Sequence, residues 1–176
     1  MFTKAIHSQY APKAIGPYSP AVKLGDFVYV SGQLPIEQET DELIEGGIQE
    51  QTYQCLKNME AVLAEMNLEM RHVVKTTVYM TDLSQFAAMN EIYATYFADP
   101  YPARSTVEVK ALPKGAMVEI EAIVIDTLVY EAQANQHHHH HDHDHGDSCG
   151  CGGNCSCGHD HGEEEDTEGC SDSCCG

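Results

Sequence analysis

Tryptophan is absent from the 176 residues, and cations are scarce: nine Lys plus Arg stand against 28 Asp plus Glu, a formal charge of −19. So few cations cannot build a face that neutralises phosphates, so no nucleic-acid partner is expected. No apolar stretch approaches the ~20 residues that a membrane helix needs, so no membrane partner is expected either. The start, Met1-Phe2-Thr3-Lys4-Ala5-Ile6-His7, lacks the long apolar run of a secretion signal, and the expected compartment is the cytoplasm. In a reducing compartment the cysteines are not expected to form a disulfide framework. A Gly-rich phosphate loop, a nucleophile elbow and a paired HxxxH helix motif are also missing, which removes support for hydrolases and transferases of those kinds.

What the chain does have is unevenly placed. Residues 1–136 hold all nine Lys plus Arg and 18 of the 28 acids, whereas residues 137–176 hold ten acids, nine of the 11 His and seven of the eight Cys. The last segment has no Val, Ile, Leu, Met, Phe, Tyr or Trp. It cannot bury a core and is expected to be disordered without a ligand. The expected organisation is one domain over residues 1–130 and a His/Cys/acid-rich tail over 131–176.

The tail carries a strong metal-binding pattern. His137, His138, His139, His140, His141, His143 and His145 precede Cys149, Cys151, Cys155 and Cys157. His159, His161, Cys170, Cys174 and Cys175 follow. Imidazoles suit nickel, zinc and cupric ions, while thiolates suit zinc and cuprous ions. Cysteines one residue apart resemble metallothionein-like clusters more than a zinc ribbon, whose pairs leave two to four residues between them. The His-Asp run resembles the metal-storage tails of some nickel-handling chaperones. The expected ligands are zinc, nickel or copper, among which the pattern does not choose. A purification tag would not be interrupted by Asp142 and Asp144, and an inert acidic solubiliser would have little use for seven cysteines.

Periodicity organises the rest. Val22–Leu24 and Phe27–Ser31, joined by Gly25-Asp26, read as a hairpin. A helix is expected from about Gly47 to Met66, with Ile48, Cys55, Leu56, Met59, Val62, Leu63 and Met66 on its apolar face. Gln49, Glu50, Gln54, Lys57, Asn58 and Glu65 are expected mainly on the opposite side. Val73–Met80 reads as a strand. Asp82 caps a second helix whose stripe is Phe86, Met89, Tyr93 and Phe97, with Asn90 on the same stripe. Arg104–Val109 and Met117 to about Asp126 are strands; Val118, Ile120 and Ala122 face one way, and Glu119 and Glu121 the other. The expected fold is α+β, a single sheet with two helices packed on one face. The uncovered face calls for another subunit.

Few residues of the domain suggest chemistry by themselves. Arg104 follows Pro100-Tyr101-Pro102 and could grip a planar carboxylate bidentately, or sit in a surface ion pair. Glu119 and Glu121 could include a general base, or could simply be a solvated sheet face. Asn90 could orient a site or cap a loop. Cys55 reads as a small core residue, and His7 and His72 as structural.

Several motifs carry a resemblance. Ala14-Ile15-Gly16-Pro17-Tyr18-Ser19, Ser31-Gly32-Gln33-Leu34-Pro35 and His72-Val73-Val74-Lys75-Thr76-Thr77-Val78 are similar to RidA-type reactive imine deaminases. So are the stretch from Pro102 to Val109, Leu112-Pro113-Lys114-Gly115, and Val118 to Ile123. The resemblance implies a chorismate-mutase-like subunit in a homotrimer with intersubunit clefts. It implies hydrolysis of small 2-imino acids, such as 2-iminobutanoate and 2-iminopropanoate, to 2-keto acids and ammonia. Such imines leave pyridoxal-phosphate enzymes. They are already electrophilic, so no catalytic cofactor is expected.

By the same resemblance, Arg104 binds the substrate carboxylate and Glu119 positions or activates water. Tyr18, Ser31, Gly32 and Asn90 line the pocket. Thr106 departs from the family, many of whose members carry cysteine there; activity is expected to survive, but thiol-based regulation is not. The other reading is a metal-buffering or metal-delivery protein that uses the trimer as a scaffold. Chaperone activity or RNA cleavage, proposed for relatives, forms a third reading, and the acidic charge disfavours its RNA version.

Overall fold

Buried residues alternate strictly with half-buried ones from Val118 to Ile125, and this alternation defines the two faces of the sheet. The computed structural model describes residues 2–12 and 16–137, with side chains to residue 134. The expected metal ligands from His138 to Cys175, and the side chain of His137, lie outside the described residues, as do Ala14 and Ile15. In chain order the elements are β1 (Thr3–Ile6), β2 (Ala21–Leu24), β3 (Phe27–Gln33), α1 (Ile48–Ala64), β4 (Val73–Met80), α2 (Phe86–Tyr96), β5 (Ala103–Glu108), β6 (Val118–Ile125) and α3 (Leu128–His137).

The strands form one sheet in the order β1-β2-β3-β6-β4-β5, in which only β4 and β5 pair in parallel. Because β3 and β4 both run antiparallel to β6, they are parallel to each other across it. Two strand–helix–strand crossovers result, through α1 and through α2, and both helices lie on one face as expected. The β2–β3 turn is tight, and Gly25 takes the left-handed conformation (φ +59°) that a two-residue hairpin loop requires.

The core lies between this face and the helices. Leu56, Met59, Val62 and Leu63 of α1 and Met89 of α2 are fully buried with Val28, Val78, Met80, Val118, Ile120 and Val124. Each such side chain contributes roughly 1.5–3 kcal/mol by leaving water. Cys55 is among them, its thiol held well above the ordinary value by burial, which suits a core residue rather than a nucleophile. His72 is buried too, its Nδ1 accepting from the Glu69 N–H at 2.9 Å, and His7 is exposed.

Three local features differ from the sequence expectation. Gln54 and Asn58 are buried, not solvent-facing: their amides bond to each other and to the Leu34 and Ile36 carbonyls. The loop after β3 packs on that flank of α1 and needs donors there. β1 is an added edge strand with little alternation to announce it. A third helix, α3, follows β6, so the boundary expected at residue 130 falls inside a helix and residues 131–137 are helical. Arg71 holds it bidentately through Glu131 at 2.9 and 3.0 Å, and the Tyr130 hydroxyl donates to Asp26 at 2.6 Å. No helix among the described residues is long and apolar enough to cross a membrane.

Candidate active site

The residues singled out in the sequence fall into two groups. The first gathers around Arg104, on the edge strand β5, in register with Thr76 on the helix-covered face. Its guanidinium lies over the Tyr93 ring, 4.5 Å from the centroid, and 5.4 Å from the centroid of Phe86. Phe86, Asn90 and Tyr93 follow one another along one side of α2, so Asn90 faces the same way as the two rings. Thr106 shares the side of β5 that carries Arg104. Arg104, Asn90 and Thr106 are half-buried. Glu108 accepts from the Leu83 N–H at 2.9 Å and ties β5 to the turn that leads into α2.

Among the described residues no carboxylate lies within ion-pair distance of Arg104. The surface ion pair that the sequence left open is not formed with them. A guanidinium held over aromatic rings, with no carboxylate partner among the described residues, keeps N–H groups available to clasp a carboxylate.

The second group lies on the opposite face. β3 carries a bulge at Ser31-Gly32: Val30 pairs with Ala122 and Gln33 with Ile120, so two residues oppose one. The bulge keeps both Val30 and Gln33 turned to the core. Glu119 folds over Gly32, where a Cβ would stand 2.7 Å from the glutamate carboxyl carbon; only glycine leaves this room. The Ser31 hydroxyl donates to the Ser19 carbonyl at 2.7 Å, and its N–H donates to the Pro20 carbonyl at 3.0 Å. Ser31 thus holds the segment that carries Tyr18 beside the bulge.

Burial first, then the negative charge of Glu121, raise the Glu119 carboxyl above its ordinary value, the direction that suits a general base. Glu121 accepts from the Tyr79 hydroxyl at 3.2 Å. A concavity of about 330 Å³ opens on this face between Tyr29, Ser31, Lys75, Thr77 and Glu121.

Arg104 and Glu119 therefore occupy opposite faces of one sheet, with β4 between their strands. Within a single chain they cannot hold the same small molecule. Among the described residues no group of three or more His, Cys, Asp or Glu is placed to share a metal ion.

The family model described as Endoribonuclease L-PSP matches residues 8–126. The chain belongs to the Endoribonuclease L-PSP family. It is 49% identical to a RutC family protein of Pyrococcus abyssi, over 70% of this chain and 97% of that one. It is 42% identical to the human 2-iminobutanoate/2-iminopropanoate deaminase, over 71% of this chain and 91% of the relative. The crystal structure of E. coli TdcF with bound serine superposes with a TM-score of 0.65 at 43% identity, covering 69% of this chain and 98% of that one. The RidA-type resemblance read from the motifs is thus borne out at the level of family and fold.

In this L-PSP family member, sequence reasoning missed the rings beneath Arg104. Phe86 and Tyr93 read as a core stripe, and Tyr93 is indeed 4% exposed, but Phe86 is 38% exposed, too open for a core anchor. A polar Asn at the intervening position was the available signal. The Gly32–Glu119 contact joins residues 87 positions apart, and no local pattern announces it.

Proposed function

We propose that this chain hydrolyses reactive 2-imino acids to 2-keto acids and ammonia, at sites assembled between the protomers of a homotrimer. The observation that carries the reading is the aromatic-stacked Arg104, without a carboxylate partner among the described residues, in a chain 42–44% identical to mammalian proteins named 2-iminobutanoate/2-iminopropanoate deaminase. The division of site residues between two sheet faces supports an intersubunit cleft, with Arg104, Asn90 and Thr106 from one protomer and Glu119, Gly32, Ser31 and Tyr18 from its neighbour. The open face also exposes Phe27, Tyr29 and Val107, an apolar surface that a second subunit would cover.

In this mechanism Arg104 holds the substrate carboxylate through charge-assisted hydrogen bonds. Glu119 takes a proton from a water as its oxygen attacks the C=N carbon, forming a carbinolamine. That proton passes to nitrogen to complete the carbinolamine, whose hydroxyl then gives up its own proton through Glu119 to the same nitrogen, and the C–N bond breaks to release ammonia and the keto acid. General-base assistance of this kind is typically worth ~10²–10⁴-fold. The net charge of −19 argues against RNA as substrate, and a small acid must be held by local cation placement instead of bulk attraction.

We further propose that the tail binds zinc, nickel or copper through its histidines and cysteines and plays no part in imine hydrolysis. The density of ligands in residues 137–176, nine His and seven Cys, supports this. The full chain, a chain ending at Gln136 and Arg104→Ala would be compared for ammonia release from freshly generated 2-iminobutanoate. The first two should match and the third should lose about 10²- to 10³-fold in kcat/KM; an Arg104→Ala as active as the full chain rejects the site. Elemental analysis under reducing conditions should find metal only with the tail present. Metal retention together with an inactive core would favour the metal-buffering alternative.

A further inference from the structure

Beneath Arg104 the core contains a polar pair that packing alone does not require. Thr76 is fully buried on the apolar face of β4, next to Val78 and Met80, and Tyr93 is 4% exposed on α2. Their hydroxyls bond to each other at 2.8 Å. Replacing both partners of such a buried pair by apolar groups of the same shape, here valine and phenylalanine, is close to neutral for stability. Stability therefore does not explain why both hydroxyls are present.

The geometry around the pair suggests another reason. The Tyr93 ring is held on three sides: by Thr76 at its hydroxyl, by Phe97 at 4.6 Å between centroids, and by the guanidinium of Arg104, 4.5 Å above it. Thr76 is itself in register with Arg104 across the parallel β4–β5 pair. A guanidinium lying on an aromatic face takes its plane from that face, so the tilt of the ring sets the direction in which the in-plane N–H groups point. Fixing the hydroxyl fixes the tilt.

On the reading that Arg104 grips the substrate carboxylate, we propose that Tyr93 is a positioning residue for that guanidinium and that Thr76 sets Tyr93 in place. Phe86, at 5.4 Å, borders the guanidinium from the more open side. The Thr76–Tyr93 bond acts only on Arg104 and touches no reacting atom. Its loss weakens recognition of the carboxylate and leaves the water-activating glutamate on the other sheet face untouched.

The test uses the full chain. Tyr93→Phe, Thr76→Val, the double variant and Arg104→Ala would each be measured for KM and kcat, for calorimetric affinity toward the product 2-oxobutanoate, and for Tm. Tyr93→Phe and Thr76→Val should each raise KM and weaken 2-oxobutanoate by about two- to fivefold, with kcat kept within about twofold. The double variant should be no worse than either single, since both break one bond. Tyr93→Leu, if it folds, should weaken 2-oxobutanoate further, by up to about 30-fold, because the ring itself is gone. Unchanged KM and affinity alongside a lowered Tm would overturn the proposal, as would singles whose effects add in full. If Arg104→Ala abolishes 2-oxobutanoate binding while Tyr93→Phe and Thr76→Val bind normally, only the positioning role falls. If Arg104→Ala binds and turns over as well as the full chain, the imine-hydrolysis site falls with it.

Discussion

The helix-covered and open faces of the sheet hold opposite halves of one electrostatic problem. On the helix side, Arg104 is stacked on two rings and lacks a counter-ion among the described residues. On the open side, Glu119 is half-buried beside Glu121, in an environment that disfavours its own charge. In the proposed reading the first region is a cation that receives an anion from outside, and the second is a carboxylate that accepts a proton. Within the chain β4 keeps them apart, and the proposed reaction needs both. Such division allows each half to be tuned without the two charges neutralising each other in the isolated protomer.

The comparison can be broken most severely at the cation. Arg104→Ala should lower kcat/KM by about 10²- to 10³-fold with little change in Tm, the cost of removing one partner from a desolvated charge pair. Gly32→Ala attacks the other half. The new methyl would displace the Glu119 carboxylate rather than any backbone, so kcat should fall by about 10²-fold while 2-oxobutanoate still binds Arg104 normally. Equal losses of binding and turnover in Gly32→Ala would mean that the two halves are not separate.

A finer test concerns protons. Glu119 is raised by burial and by Glu121, so the acid limb of the kcat/KM profile should lie above the ordinary carboxylate range. Glu121→Gln removes one cause and should move that limb toward lower pH without abolishing activity. An unmoved limb would assign it to another group. The smallest effect should come from a region outside both halves. Glu131 on α3 is held down to about 2, chiefly by the hydrogen bond from Arg71 and then by that from Thr127. Its contribution is fully present above the ordinary value of 4.5 and lost as pH falls toward about 2. Hydrogen exchange should show α3 loosening over that window, and Arg71→Ala should loosen it at neutral pH with turnover unchanged.

Much of the scaffold could be read from residue order. Val118–Ile125 alternates as a half-covered strand must, and Leu56, Met59 and Leu63 recur at helical spacing and all reach the core. Gln54 and Asn58 misled because their burial depends on carbonyls 18 to 24 residues away. α3 escaped notice because its docking rests on Arg71 and Asp26, distant in sequence. Arg104, Glu119 and Asn90 were legible as polar residues in telling places, yet their distribution over two faces was not.

Sequence alone determined the alternation of strands and helices, the charge imbalance and the identities of the chemical groups, because each depends on neighbours within a few positions. Tertiary structure decided that aromatic rings lie under Arg104, that Glu119 rests on Gly32, and that the two stand on opposite sides of one sheet. Those outcomes depend on register: β6 inserts between β3 and β4, and a one-residue bulge turns Ser31-Gly32 toward it. A one-residue slip in that pairing would turn the Ser31-Gly32 bulge away from Glu119 and dissolve the group on the open face.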